Sequence, residues 1–327
     1  MKRSEIRALA DEVYATLDEA DADVAVLRAM DILAKAPKDV ESFLLLSEVF
    51  EEKALFEQSL NWIEQGLKYH PDDEALLLKK ASILLDNFED VDEAFAILKQ
   101  IKKKFKDSPL SQLKKDYDEA LLVDVYLLLS DCFRLKNNFN QALEHAQHAI
   151  DINSKDEAAI LSFATALLEL GNFSKAMDLL DPSKDHEKSD FLWVLGQLYC
   201  AMGSFEKADS YFAEANKIDR RYHRPVRLSQ SQFFNYFEQA ILVLPKEIRD
   251  FVYKSSVRIE QIVPQKILEE KKSLLSPLAC VWFEEKSELN TIYLFQKNIE
   301  NLACKKSDIK DLIASAMLHE IAYILEA

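Results

Sequence analysis

Bulky and small residues alternate on a helical rhythm along the first two thirds of the chain. Phe43, Ser47 and Phe50 stand at i, i+4 and i+7. The same spacing joins Leu77, Ala81 and Leu84, then Tyr126, Ser130 and Phe133, then Ile160, Ala164 and Leu167, then Leu192, Gly196 and Tyr199. It predicts one apolar face on each of these amphipathic helices. The central small residues recur at intervals of 34, 49, 34 and 32. A second small series, Ala25, Ser59, Ala94, Ala142, Ala176 and Ala208, keeps nearly the same intervals, and Pro37 and Pro71 are also 34 apart. Two small residues per period, each letting a pair of helices approach closely, predict a repeated helical hairpin. Asn137-Asn138, Gly171-Asn172 and Gly203-Ser204 punctuate the hairpins as turns.

These features resemble the tetratricopeptide repeat family. Residues 189–222 match it best, with Leu195-Gly196, Tyr199, Ala208, Phe212 and Ala215 at the family's usual offsets. Residues 157–188, with LELGNFSKA, match at the turn, and units near 40–73, 74–108 and 123–156 follow the same scheme. A weaker unit at 6–39 makes about five to six repeats across residues 1–225. The long interval points to an insertion at residues 106–120, KDSPLSQLKKDYDEA, read as a loop with a longer helix start. The resemblance implies a right-handed superhelix whose groove is lined by the first helix of each hairpin.

On that face stand Leu44, Leu78, Leu127, Leu161 and Trp193, with Glu48, Ser82, Asp131, Thr165 and Gln197 beside them. Glu41, Glu51, Asp124 and Asp190 add acids. Either these residues form a groove for an extended or helical protein segment with apolar and basic side chains, or the leucines pack against the neighbouring turn and the acids are simply solvated. The Lys and Asn set with which some members grip a C-terminal carboxylate is not found. His145 and His148, three apart beside Glu144, allow a metal by spacing, but no third ligand is evident and a solvated helix face is expected.

After Pro225 the period stops. Residues 233–245 read as an amphipathic helix ended by Pro245, and KEIRDFVY as a short second helix. Residues 255–264, 278–285 and 290–296 read as strands, the last two joined by the charged turn EKSEL. A helix is expected to begin at Asn298, and Ser307-Asp308 to cap a long final helix. The fold class is therefore mainly α: a helical-hairpin superhelix at 1–225, then a small α+β domain at 226–327.

The final helix carries His319-Glu320-Ile321-Ala322-Tyr323. In HExxH sites, imidazoles at i and i+4 share one zinc ion and the Glu polarises bound water. FEQAILVLP, VRIEQIVP, TIYLFQKNIEN and LIASAMLHEIA, in that order, resemble the small bacterial minimal-zincin metallopeptidase family over residues 232–325. The resemblance implies a zincin-like fold and a bacterial source. Three departures imply that the metal is lost. Tyr323, with a phenol pKa near about 10, replaces the second His. SPLACVWFEE replaces the glycine-containing strand turn. The third ligand would fall beyond Ala327. His319 is expected on a partly buried face, turned with Tyr323 toward the sheet. The other reading is an unrelated α+β cap.

Composition narrows the function. The net charge is −16, and residues 226–327 hold 13 Lys/Arg and 14 Asp/Glu, leaving 28 against 43 before them. Such a field repels a phosphate backbone, so no nucleic-acid partner is expected. The 4 glycines, Gly66, Gly171, Gly196 and Gly203, cannot write a phosphate-binding loop. Cys132, Cys200, Cys280 and Cys304 are too far apart for a CxxC pair and read as free thiols. No apolar run approaches the ~20 residues of a membrane span, and the acidic N-terminus does not read as a signal peptide. A cytoplasmic protein with no membrane partner is expected. The preferred function is a protein-interaction adaptor with an inactive peptidase-like domain, no catalytic residue and no cofactor. The alternative is a zinc peptidase whose repeats recruit substrate, with Glu320 as base and His319, Tyr323 and Glu326 as a non-standard ligand set.

Overall fold

The structure, a computed structural model, describes residues 3–18, 22–107, 115–181, 188–271, 273–275, 277–283 and 290–326. It divides into two compact units, Met1–Ala159 and Ile160–Ala327. The change of pattern at residues 225 and 226 falls inside the second unit. Among the described residues no helix is long and apolar enough to cross a membrane.

The first unit is built of antiparallel helix pairs: α1 (Arg3–Asp18) with α2 (Ala22–Lys35), α3 (Val40–Glu52) with α4 (Phe56–Tyr69), α5 (Glu74–Phe88) with α6 (Val91–Asp107), and α7 (Lys115–Leu135) with α8 (Phe139–Ile152). Helix α9 (Glu157–Glu169) begins here and runs into the second unit. Asp39, Asp73 and Asn138 start α3, α5 and α8 as N-caps, each side chain accepting a first-turn N–H. Such a cap is typically worth ~1 kcal/mol. Of the insertion expected at 106–120, residues 108–114 lie outside the described residues, and the rest is helical rather than a loop: α6 reaches Asp107 and α7 begins at Lys115.

The small residues do what their spacing predicts. Ser47 on α3 and Ser59 on α4 share a buried hydroxyl–hydroxyl hydrogen bond of 2.7 Å. Ser130 on α7 donates to the carbonyl of Ala142 on α8 at 2.9 Å. Ala81 and Ala94 meet in one core with Leu77, Leu84 and Leu98. The corners also repeat. Ala54, Asn137, Gly171 and Gly203 each sit seven residues after the small residue and each has positive φ. The following N–H then reaches back five residues, as in Leu55 to Phe50 (2.9 Å) and Ser204 to Tyr199 (2.8 Å). This closing bond satisfies a carbonyl left free at the helix end.

The second unit continues with α10 (Phe173–Leu180), α11 (Ser189–Ala201) and α12 (Phe205–Ile218). There follow α13 (Gln230–Val243), α14 (Lys246–Tyr253), β1 (Ser256–Glu260), α15 (Gln265–Lys271), β2 (Ala279–Trp282), β3 (Thr291–Phe295), α16 (Gln296–Leu302) and α17 (Asp308–Glu326). The described strands form one sheet of order β1-β3-β2, with β1 parallel and β2 antiparallel to β3. Ile292 and Leu294 pack on one side with Phe233, Phe237, Ile313 and Met317. Tyr293, Phe295 and Cys280 pack on the other with Ile267 and Leu268.

All three strands form, but shorter than their sequence patterns suggest. Residues 261–264 lead to α15, a helix the pattern did not mark, and the expected EKSEL turn falls on residues 285–289, outside the described set. Helix α16 begins at Gln296, two residues earlier than expected. Its polar residues are buried. The Glu300 carboxylate accepts from Lys297 Nζ (2.7 Å), Gln296 Nε2 (2.6 Å), the Leu228 N–H (3.1 Å) and Arg227 Nη1 (3.4 Å). Glu169, at the end of α9, is likewise buried and accepts from Ser273 Oγ and the N–H groups of Leu274 and Leu275.

Candidate partner groove

Three first helices, α3, α5 and α7, present one open groove of about 430 Å3. Leu44, Leu78, Leu127 and Leu128 give it an apolar lining, and Glu48, Lys79, Ser82 and Asp124 supply the polar groups. The helical period explains the set: Leu44 and Glu48 are one turn apart on α3, Leu78 and Ser82 on α5, and Asp124 and Leu128 on α7. Leu44, Glu48, Leu78, Ser82, Asp124 and Leu127, all singled out from the sequence, therefore converge.

The electrostatics are less simply acidic than the sequence suggests. Lys79 donates to Glu51 at 2.5 Å, which offsets one of the expected acids. Tyr14, on α1, donates to Glu48 at 2.5 Å. Burial, then this bond and the Glu48 charge, push the Tyr14 phenol well above its ordinary value. Burial also raises the Asp124 carboxyl, with Asp156 adding to the effect. Asp131 lies one turn beyond Leu127, outside the groove lining, 3.7 Å from Arg134. Its carboxyl is raised by burial, with Arg134 opposing and Asp86 adding. Tyr14 and Lys79 were not singled out from the sequence. Lys79 was findable, because it follows Leu78 directly; Tyr14 comes from the repeat with the weakest pattern.

In the second unit, Leu161 and Thr165 lie half-buried on α9, as do Trp193 and Gln197 on α11. Trp193 is packed by aromatic neighbours, with ring centroids 4.7 Å from Phe212, 5.2 Å from Tyr222 and 5.7 Å from His223. Tyr222 donates to Asp190 at 2.7 Å. Burial and that bond push the Tyr222 phenol up to about 12.

Two histidine expectations need correction. His145 does not lie on a solvated face: it is buried among Tyr126, Phe133 and Lys102. Lys102 Nζ can only donate to its Nε2 (3.3 Å), so Nδ1 carries the proton and donates to the Gln141 carbonyl (2.9 Å). His319 and Tyr323 do not face the sheet: the His319 side chain is 86% exposed and Tyr323 76% exposed. The buried stripe of α17 is Ile309, Ile313, Met317 and Ile321 instead. Glu320 sits 3.8 Å from His319 Nδ1. The Glu326 side chain lies outside the described residues. Among the described residues no group of three His, Cys, Asp or Glu is placed to hold a metal ion.

Two tetratricopeptide repeat models match the chain, over residues 134–193 and 189–222. The chain carries tetratricopeptide repeats. Its fold is similar to that of PilF of Pseudomonas aeruginosa (15% identity, 67% of this chain and 94% of that one, TM-score 0.50). It is also similar to PilW, a widely conserved type IV pilus biogenesis factor (14% identity, 66% and 94% covered, TM-score 0.52). A third similar structure is the Cut9–Hcn1 hetero-tetramer of APC/C (13% identity, 65% and 39% covered, TM-score 0.50). No curated protein matches the chain by sequence. The resemblance of residues 226–327 to the minimal-zincin family finds no counterpart among these matches.

Proposed function

We propose that the chain is a non-enzymatic adaptor that holds a protein segment in the groove between α3, α5 and α7. The observation that carries this reading is the convergence of Leu44, Leu78 and Leu127 on one open apolar groove. A segment of apolar and basic side chains suits it. The apolar ones would cover the leucines, and a basic one would approach Glu48 and Asp124 within the strongly acidic part of the chain. A cation arriving at Asp124 would stabilise a carboxylate that burial otherwise disfavours. Residues 1–225 serve as the recognition array, with Leu161, Thr165, Trp193 and Gln197 as a separate contact set in the second unit. Residues 226–327 follow as a non-catalytic module; the outward aim of His319 and Tyr323 speaks against a peptidase centre there.

The test is peptide display against the full chain, then binding of the selected peptides at rising salt. Basic, leucine-containing segments should be enriched. Their affinity should fall as salt shortens the screening length from ~10 Å at 0.1 M to ~3 Å at 1 M, and Leu78→Arg should abolish binding. Segments whose affinity ignores both salt and Leu78→Arg would overturn this site. Zinc-dependent peptide cleavage that vanishes in Glu320→Gln would overturn the adaptor reading altogether.

A further inference from the structure

Strand β1 lies at an edge of the described sheet, bonded to β3 on one side. The hydrogen bond from the Ser256 N–H to the Asn290 carbonyl (2.8 Å) sets the phase of this parallel ladder. Ser256, Arg258 and Glu260 turn their backbone groups toward β3, so those of Val257 and Ile259 point out of the sheet. No hydrogen bond reaches these outward groups among the described residues.

Beside this edge lies a groove of about 490 Å3, lined by Gln230, Ser231, Phe234, Asn235, Val257 and Ile259. It contains no charged residue. Phe234 is exposed there, although most aromatic residues of α13 are turned into the core. On the opposite face of β1, Arg258 is exposed and stacks its guanidinium 6.0 Å from the Tyr293 ring centroid. Among the described residues it makes no ion pair, and Glu260, next on that face, makes none either.

We propose that β1 accepts an extended peptide as a fourth strand, and that the peptide carries an apolar–acidic–apolar pattern. Only an extended backbone can satisfy two donors and two acceptors spaced along an open sheet edge. Residues paired with Val257 and Ile259 project to the same face as those side chains, so two apolar side chains enter the groove beside Phe234. The residue between them projects to the Arg258 face, where a carboxylate supplies the missing opposite charge. A second copy of this chain fits poorly. An antiparallel pairing that sets Val257 against Ile259 of the copy places Arg258 against itself, and like charges directly opposite are destabilising.

The probe is a capped seven-residue peptide with threonine and serine ends, two valines and a central glutamate, titrated into the full chain. Saturable binding at about 1 mM or below is expected, with slowed amide exchange at Val257 and Ile259. N-methylation of the peptide amides that face β1 should weaken binding at least about 10-fold, because each blocked bond is worth a few-fold by itself. Arg258→Glu should abolish binding of this peptide and restore it for the peptide with central lysine. Ile259→Pro should also abolish it, while leaving the ladder to β3 intact because its N–H faces outward. Absent binding, or equal binding of the methylated peptide, would overturn the proposal. So would concentration-dependent dimerisation abolished by Ile259→Pro, which would make a second copy the occupant.

Discussion

A Cβ placed on Gly196 would stand 2.6 Å from the ring of Phe212. The close approach of α11 and α12 is therefore a glycine-to-aromatic contact. The family offsets pointed to Ala208 as the partner; Ala208 is buried in the same cluster, but Phe212 fills the space. Gly196→Leu should destabilise by about 1–3 kcal/mol or more through overpacking. Gly196→Ala should still destabilise, although alanine is ~1 kcal/mol better in a helix interior, because the new methyl would stand 2.6 Å from two ring carbons of the fully buried Phe212, which must shift within a packed core. Urea midpoints of the two variants check this, and an unchanged midpoint would show that the helices are spaced differently.

The corners predict opposite signs for two substitutions. Ala54 holds φ at 54°, where an L side chain is strained. Ala54→Gly should stabilise by about 1 kcal/mol, less the extra entropy of a glycine in the unfolded chain. Gly171 holds φ at 73°, and a Cβ there would meet Leu268 at 2.8 Å. Gly171→Ala should destabilise by more than about 1 kcal/mol. Thermal denaturation of both variants gives the signs directly.

Buried His145 predicts acid sensitivity. Burial holds its pKa below the ordinary value, with the Lys102 charge opposing protonation further and the Gln141 carbonyl partly compensating. Protons therefore bind the unfolded chain better than the folded one. Stability should be full above about pH 6.5 and fall as pH drops below it. Denaturation midpoints of wild type and His145→Gln across pH 5–8 should converge toward the acid end. Parallel curves would mean that His145 does not contribute.

Glu300 predicts the largest single loss. Its carboxylate is fully buried and holds two cations, an amide and a backbone N–H. Glu300→Ala leaves Lys297 buried without this partner and should cost about 3–5 kcal/mol. A loss under about 1 kcal/mol in chemical denaturation would show that water replaces the carboxylate.

The hairpins were legible because their signals are local. A small residue, bulky residues one turn either side and a turn seven residues on all depend on a short span of chain. Six groove residues, Leu44, Glu48, Leu78, Ser82, Asp124 and Leu127, were legible for the same reason, since one helical face can be counted along the sequence. Periodicity on α17 placed His319 and Tyr323 together on one face, and the structure keeps them there. It could not say that this face looks outward, because that depends on which stripe α13 and the sheet cover. Gln296 read as the end of a strand and Asn298 as an ordinary polar helix start; the burial of Gln296 to Glu300 follows from Arg227 and Leu228, some 70 residues away. The strand order β1-β3-β2, which leaves the outward backbone groups of Val257 and Ile259 without a hydrogen bond among the described residues, is equally non-local. By itself the sequence determined the repeat, the close-approach positions and most element types, α15 excepted, since these follow from side-chain size and backbone preference within a turn or two. Only the tertiary structure decided which faces are buried, which charges are neutralised and which sheet edge stays open, because each is set by contact between segments far apart in the chain.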